Sequence, residues 1–306
     1  EFRRVLFRSK LFDHLPRTLD FAARQGKFYD PYLRDFSKIE ELSMPNSQDL
    51  ILQNLTFDQV CDVVASDIVK FTNTSQRQII ISYSGGVDSC TVLSALLKNN
   101  VDTNKLTILM SKESIDEYPN FYYDVIENKL QTKNILEFVK EKQDPGLYWH
   151  LTGEFGGQLF AMFPCVDFHK KHNLSFYSEY KKYRGLGAEY IIKDPVLRDW
   201  FMDQMDLNLT DAPCSITTTA DFFWWIGFNF KWQEIQYRRA CAVLDFYGLF
   251  HNQDRLAAKK YMDSELEFFG RKEFQIWSMQ NGGESREKWD SDPDSFKLAA
   301  KKYIYS

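Results

Sequence analysis

Ser84, Gly85, Gly86, Val87, Asp88 and Ser89 set two hydroxyls, two glycines and one carboxylate in six consecutive positions. Glycines let a backbone turn sharply and approach an anion with no Cβ in the way, and the free amides of a following helix start point at the same spot. Ser84 and Ser89 add hydroxyl donors. Asp88 repels a phosphate, so it reads as the holder of a divalent cation that accompanies one. The set suits a magnesium polyphosphate.

The flanking residues decide whether such a turn is positioned to bind. Before it, Gln78 to Ser82 carries three consecutive isoleucines, the pattern of a strand covered on both faces and so of a parallel sheet. After it, Asp88 to Leu97 reads as a helix. Upstream, Thr56-Phe57-Asp58-Gln59 is a capping box opening a helix with Phe57, Cys61, Val64, Ile68 and Phe71 at three- and four-residue steps. Lys105 to Met110 is the next strand, in a right-handed strand-helix-strand unit, with its end beside the loop. Ligands sit at the carboxyl ends of such strands, so the backbone around Leu109 and Met110 either meets an adenine ring or belongs to an ordinary core strand. Tyr122 to Val139 reads as helical. Leu147 to Phe160 repeats the theme of a strand, a glycine turn and a helix.

Strand before and helix after, the loop resembles the pyrophosphate-binding loop of the N-type ATP pyrophosphatases. This PP-loop superfamily has an adenine nucleotide alpha hydrolase-like fold and includes the synthetase domains of asparagine synthetase, GMP synthetase and NAD synthase. Neither a Walker loop nor a Gly-x-Gly-x-x-Gly fingerprint is present. Thr152, Gly153, Glu154, Leu159 and Phe160 are in register with the asparagine synthetase stretch Ser-Gly-Glu-Gly-Ala-Asp-Glu-Leu-Phe, which narrows the resemblance. It implies that Ser82, Ser84, Gly85, Gly86, Val87, Asp88, Ser89, Leu109, Met110, Thr152 and Gly153 line the nucleotide. It also implies that Glu154 lies near an attacking amine. Lys297, four before Lys301, is similar to the lysine that contacts pyrophosphate in that family, although a solvated lysine-rich terminal helix explains it equally. Gly157 departs from the pattern, standing where a magnesium-ligating Asp is expected, and Gln158 replaces the Glu after it. Asp88 is then the expected metal ligand, and Asp88, Glu154 and Lys297 are the expected catalytic residues.

The expected fold is α/β, a parallel sheet with helices on both faces, followed by a mostly α-helical C-terminal half. The divisions are an irregular segment at 1–50, an α/β ATP pyrophosphatase domain at 51–165 and a helical region at 166–306. Glu1 to Ser9 reads as a non-native leader and the C-terminus as truncated. The chain is 306 residues long and 44% hydrophobic, enough for a well-buried core. Its net charge of -5 argues against long nucleic acid as a partner. Five scattered cysteines without a Cys-x-x-Cys pair suggest a reducing, cytoplasmic setting. The most apolar stretch, Phe222 to Phe230, is too short to span a bilayer.

Among smaller features, Lys170, Lys171, Lys181, Lys182 and Arg184 read as a solvated helix face, and Phe222-Phe223-Trp224-Trp225 as core. Glu234 and Arg238 have the spacing of a helical ion pair. Phe268 to Phe274 faintly resembles a Pro-Phe-Leu-Asp segment of asparagine synthetases. His150, His169, His172 and His251 lack ligand spacing.

The resemblance implies an AMP-forming carbon-nitrogen ligase using ATP and magnesium. A substrate carboxylate is adenylated with release of pyrophosphate, and ammonia or an amine then displaces AMP. Without a glutaminase domain of its own, the chain would take free ammonia, an amine, or ammonia from a separate glutaminase. A PP-loop tRNA-modifying enzyme and a catalytically degenerate nucleotide-binding protein are the alternatives.

Overall fold

The computed structural model describes residues 54–141, 144–160, 164–191, 195–210, 212, 215–228, 261, 263–281 and 297–306. Helix α1 (Phe57–Thr74) starts at the expected capping box: the Thr56 hydroxyl accepts from the Gln59 amide, and the Gln59 side chain accepts from the Thr56 amide. Such a cap contributes about 1 kcal/mol. Phe57, Cys61, Val64 and Ile68 are buried along one stripe, whereas Phe71 is half exposed and lies against Trp149.

The chain then runs through β1 (Gln78–Ser82), α2 (Val87–Lys98), β2 (Leu106–Met110), α3 (Lys112–Glu117), β3 (Gln131–Asn134), α4 (Ile135–Glu141), β4 (Tyr148–Thr152) and α5 (Gly156–Phe160). Helices α6 (Pro164–His172), α7 (Tyr180–Ile191), α8 (Pro195–Thr210) and α9 (described over 219–228) follow. The described chain closes with β5 (Glu265–Glu267), α10 (Lys272–Asn281) and α11 (Leu298–Tyr305). All five strands are parallel, in the order β3-β2-β1-β4-β5. The fold is therefore α/β, as expected.

Two elements differ from the sequence reading. The expected helix over Tyr122–Val139 is a π-helical turn at Tyr122–Ile126, then β3, then α4. Gln131, Thr132, Lys133 and Asn134 carry no apolar alternation because β3 is an edge strand with no face to bury. The C-terminal half, read as helical, contributes β5 to the opposite edge, paired with β4 from His150 to Thr152.

One sheet face presents Ile79, Ile81, Ile108 and Leu151 to a large core shared with α1, α2, α10 and α11. The Phe57 ring meets Trp277 and Phe160 there at centroid distances of 5.0 and 5.5 Å. The other face carries a smaller apolar cluster of Ile80, Leu109, Ile135 and Tyr148, with Phe138 packed against it. Phe222 to Trp225 are fully buried, as expected for core. Lys170, Lys171, Lys181 and Lys182 are exposed, and Arg184 pairs with Asp206 at 2.7 Å, as expected of a solvated face. The N-terminal segment 1–50, Glu234, Arg238 and His251 lie outside the described residues.

Candidate functional site

Sequence order rises from β1 through β2 to β3 on one side and passes to β4 and β5 on the other, so the sheet has its topological switch between β1 and β4. In open parallel sheets, ligands bind in the crevice outside the carboxyl ends of the strands at that point. The loop 83–88 leaves β1 there, and the Thr152–Gly157 turn leaves β4.

The loop is built tightly. The Tyr83 amide donates to the Leu109 carbonyl at 2.8 Å, extending the sheet one residue past β1. Gly85 has φ +79°, and a Cβ on it would stand 2.2 Å from the Ser114 carbonyl oxygen. Only glycine meets both demands. The Ser84 and Gly86 amides donate to the hydroxyls of Ser89 and Ser84, and the Ser89 hydroxyl donates to the Gly86 carbonyl at 3.0 Å. These groups hold the turn together. The first-turn amides of Val87, Asp88 and Ser89 make no hydrogen bond among the described residues, and Val87 and Asp88 are partly exposed. They stand at the positive end of α2, where unpaired helix-start amides favour an anion.

Beneath the loop, the Cys90 thiol contacts the Gly85 carbonyl at 3.5 Å and the Tyr83 hydroxyl at 3.6 Å. Burial pushes this thiol up to about 12. Burial also raises the Tyr83 phenol well above its usual range. Both groups are neutral supports.

The second turn lies directly on the first. A Cβ on Gly153 would reach within 2.9 Å of the Ser89 nitrogen, and one on Gly156 within 2.5 Å of the Asp88 carboxyl carbon. Thr152, Gly153 and Glu154 are half-buried beside the loop, so the two motifs paired by resemblance are neighbours in space. Leu109 and Met110 are buried, and the Leu109 carbonyl is already bonded to the Tyr83 amide. Gly157 faces open space, and a Cβ there would have nothing within 4 Å.

Lys297 arrives from the far end of the chain. It precedes α11 with φ 57°, and its Nζ lies 2.5 Å from each carboxylate oxygen of Asp88. The side chains retain 11% and 19% exposure. Helix α11 is fixed on the body of the protein: the Tyr303 hydroxyl donates to Asp62 at 2.7 Å, and Lys98 Nζ donates to the Tyr303 carbonyl and the Ser306 hydroxyl.

Among the described residues, no group of three His, Cys, Asp or Glu side chains is arranged to hold a metal. Asp88 alone, already paired with an ammonium, does not make a protein-held metal centre. A magnesium ion carried in by phosphate keeps mostly water and phosphate oxygens and takes one or two carboxylates from the protein, and Asp88 would be the one to offer it here.

A polar network missed at the sequence level lies behind the loop. Ser82, the last residue of β1, places Oγ 2.7 Å from His150 Nε2 on β4. His150 Nδ1 is 2.8 Å from the Tyr261 hydroxyl and 3.8 Å from Glu265 Oε1 on β5. Spacing gave no signal, because parallel register rather than proximity in sequence assembles it. His169 is a structural tie, bonded at 2.6 Å to both the Cys165 carbonyl and the Thr219 hydroxyl.

The site thus belongs to a parallel α/β protein whose switch point carries a helix start that no side chain caps. Comparison with family models, curated proteins and solved structures finds no match to this chain.

Proposed function

We propose that the chain is an asparagine synthetase-like, AMP-forming ligase that uses ATP to join a small-molecule carboxylate to ammonia or an amine. The observation that carries this reading is the convergence on Asp88: the helix start of the SGGVDS loop, the Thr152–Gly157 turn and Lys297 meet there from three distant parts of the chain.

In this reading the triphosphate lies at the start of α2, against the amides of Val87 and Asp88. The substrate carboxylate attacks the α-phosphorus, and the bond to the β-phosphate breaks to release pyrophosphate. Lys297 offers a compact positive charge where that leaving group gathers negative charge, so it favours the transition state over the ground state. Asp88 would hold magnesium brought with the nucleotide, which when bound offsets the same charge. Thr152 and Gly153 border the nucleotide, and Glu154 sits on the turn where the resemblance puts the attacking nitrogen. Fixing both reactants at one switch point accounts for much of the rate.

The test is ATP–pyrophosphate exchange with a panel of amino-acid and dicarboxylic acids. Exchange is expected with at least one acid and should collapse in Asp88→Ala and Lys297→Ala. Exchange undiminished by either change would contradict the roles given to both residues. One observation favours a second reading, a nucleotide-binding protein without chemistry: Asp88 is neutralised within the chain, and Gly157 offers no second carboxylate. ATP binding without exchange under any acid would select it.

A further inference from the structure

We propose that Ser82 and His150 form a proton relay at the crevice, with Ser82 Oγ receiving the proton lost by an attacking nitrogen and passing its own to His150 Nε2. This rests on the amide-forming reading above, and concerns a network to which that reading gives no role.

His150 is 6% exposed, so each of its nitrogens must be satisfied within the protein. Nδ1 faces the Tyr261 hydroxyl at 2.8 Å and the Glu265 carboxylate at 3.8 Å. A carboxylate beside Nδ1 favours a proton on that nitrogen and disfavours a lone pair there. The proton on Nδ1 makes Nε2 the bare nitrogen, and its partner at 2.7 Å is Ser82 Oγ. With the proton on Nδ1, Ser82 donates its hydrogen into the ring. What remains on Ser82 Oγ is its lone pairs, on a residue 9% exposed at the carboxyl end of β1 with a base behind it.

Position gives that arrangement its use. Ser82 ends β1 at the switch point, one step along the pairing that runs Ile80 with His150 and Ile81 with Leu151. β1 ends at Ser82 and β4 at Thr152, the first residue of the turn that carries Glu154. A nucleophile, a base within hydrogen-bond reach and a group orienting that base is the general form of an activated hydroxyl. Here the hydroxyl transfers a proton and forms no bond to carbon.

The step balances. The amine nitrogen bonds to the acyl carbon, and the carbonyl π pair moves to oxygen. When it returns, the bond to AMP breaks and its electron pair leaves on the phosphate oxygen. The nitrogen's proton goes to Ser82 Oγ as the Ser82 proton goes to Nε2. The imidazolium so formed faces Glu265. Tyr261 and Glu265 are titratable groups that face the ring, and Glu267 lies two residues further along β5.

Two measurements test the relay. The first needs no substrate: nitrogen NMR of the full chain labelled in histidine reads the tautomer of His150. The expected result is a proton on Nδ1 and a bare Nε2 whose resonance moves in Ser82→Ala. A proton on Nε2 in the neutral ring overturns the proposal, because that nitrogen would then donate to Ser82. The second uses the carboxylate that supports exchange, with ammonium chloride as the amine source. His150→Gln should lower amide formation about a hundredfold more than it lowers ATP–pyrophosphate exchange. Equal losses in the two assays would mean the network only holds the strands together, and would overturn the relay while the ligase reading stands. Absence of exchange with every acid would remove the ligase reading and the relay with it, whatever the tautomer.

Discussion

The ammonium of Lys297 lies 2.5 Å from both carboxylate oxygens of Asp88, across 209 positions of sequence. The pair sets an internal cation at the start of α2, and it ties α11 to the loop. It therefore has consequences for stability as well as for binding.

Removing one partner leaves a charge partly withdrawn from water with nothing to offset it. Asp88→Asn and Lys297→Met are each expected to lower stability by about 1–3 kcal/mol, below the range for fully buried pairs because Asp88 keeps 19% exposure. The double variant should lose less than the sum of the two. Urea denaturation of the four proteins gives the coupling directly, and additive losses would show that the pair contributes nothing as a pair.

Two glycines of the site make opposite demands. Gly85 combines a left-handed φ with the Ser114 carbonyl 2.2 Å from any Cβ, so Gly85→Ala should cost about 2 kcal/mol or more and displace α3. Gly157 has open space around it, and Gly157→Ala should leave the melting temperature unchanged or raise it. Gly157→Asp adds a carboxylate in the first turn of α5, where the helix dipole favours it. With pyrophosphate present, that variant should bind magnesium more tightly than wild type by calorimetry. Unaltered binding would remove Asp88 and position 157 from any shared cation.

Much of this was legible in the residues, for identifiable reasons. The isoleucine run of β1, the capping box of α1 and the glycine turns are local signals, and each element formed where its residues put it. Strand β3 was not legible, since four polar residues on an edge have no buried face to leave a pattern. Nor was β5, whose three residues are defined by their pairing with His150, Leu151 and Thr152 rather than by their own sequence. The loop's hydroxyls were legible as donors, but their use within the turn depends on distances that no spacing encodes. Lys297 entered the site through a family resemblance alone. Ser82 was named by the same resemblance, but its link to His150 and Glu265 had no such guide.

Trp224, Ser278 and Leu159 join the helical half to the α/β layers through buried polar atoms. The Trp224 indole donates to the Ser278 hydroxyl at 3.1 Å, and that hydroxyl donates to the Leu159 carbonyl at 2.5 Å. Ser278→Ala removes an acceptor and a donor where water does not reach, so it should cost about 1–3 kcal/mol. Tryptophan emission and urea melts report it together. A neutral result would mean the cavity had admitted water or the network had re-formed without the hydroxyl.

Cys90 supplies a prediction in pH. Its folded thiol is pushed up to about 12 by burial, from an ordinary value of 9.0. A group whose folded value is raised stabilises fully below its unfolded value and loses that contribution as pH climbs toward the folded one. Below pH about 9, native and unfolded chains both hold the proton. Above it the unfolded thiol ionises first, and this residue alone should remove about 1.4 kcal/mol of stability per pH unit. Urea melts between pH about 8 and pH about 11 should thus fall more steeply for wild type than for Cys90→Ala. In the native state the same thiol should resist iodoacetamide, since the thiolate is the reactive form. Equal slopes for the two proteins, or rapid alkylation before unfolding, would mean that the thiol is not sealed beneath the Gly85 turn, and the tight packing of that turn would have to be abandoned with it.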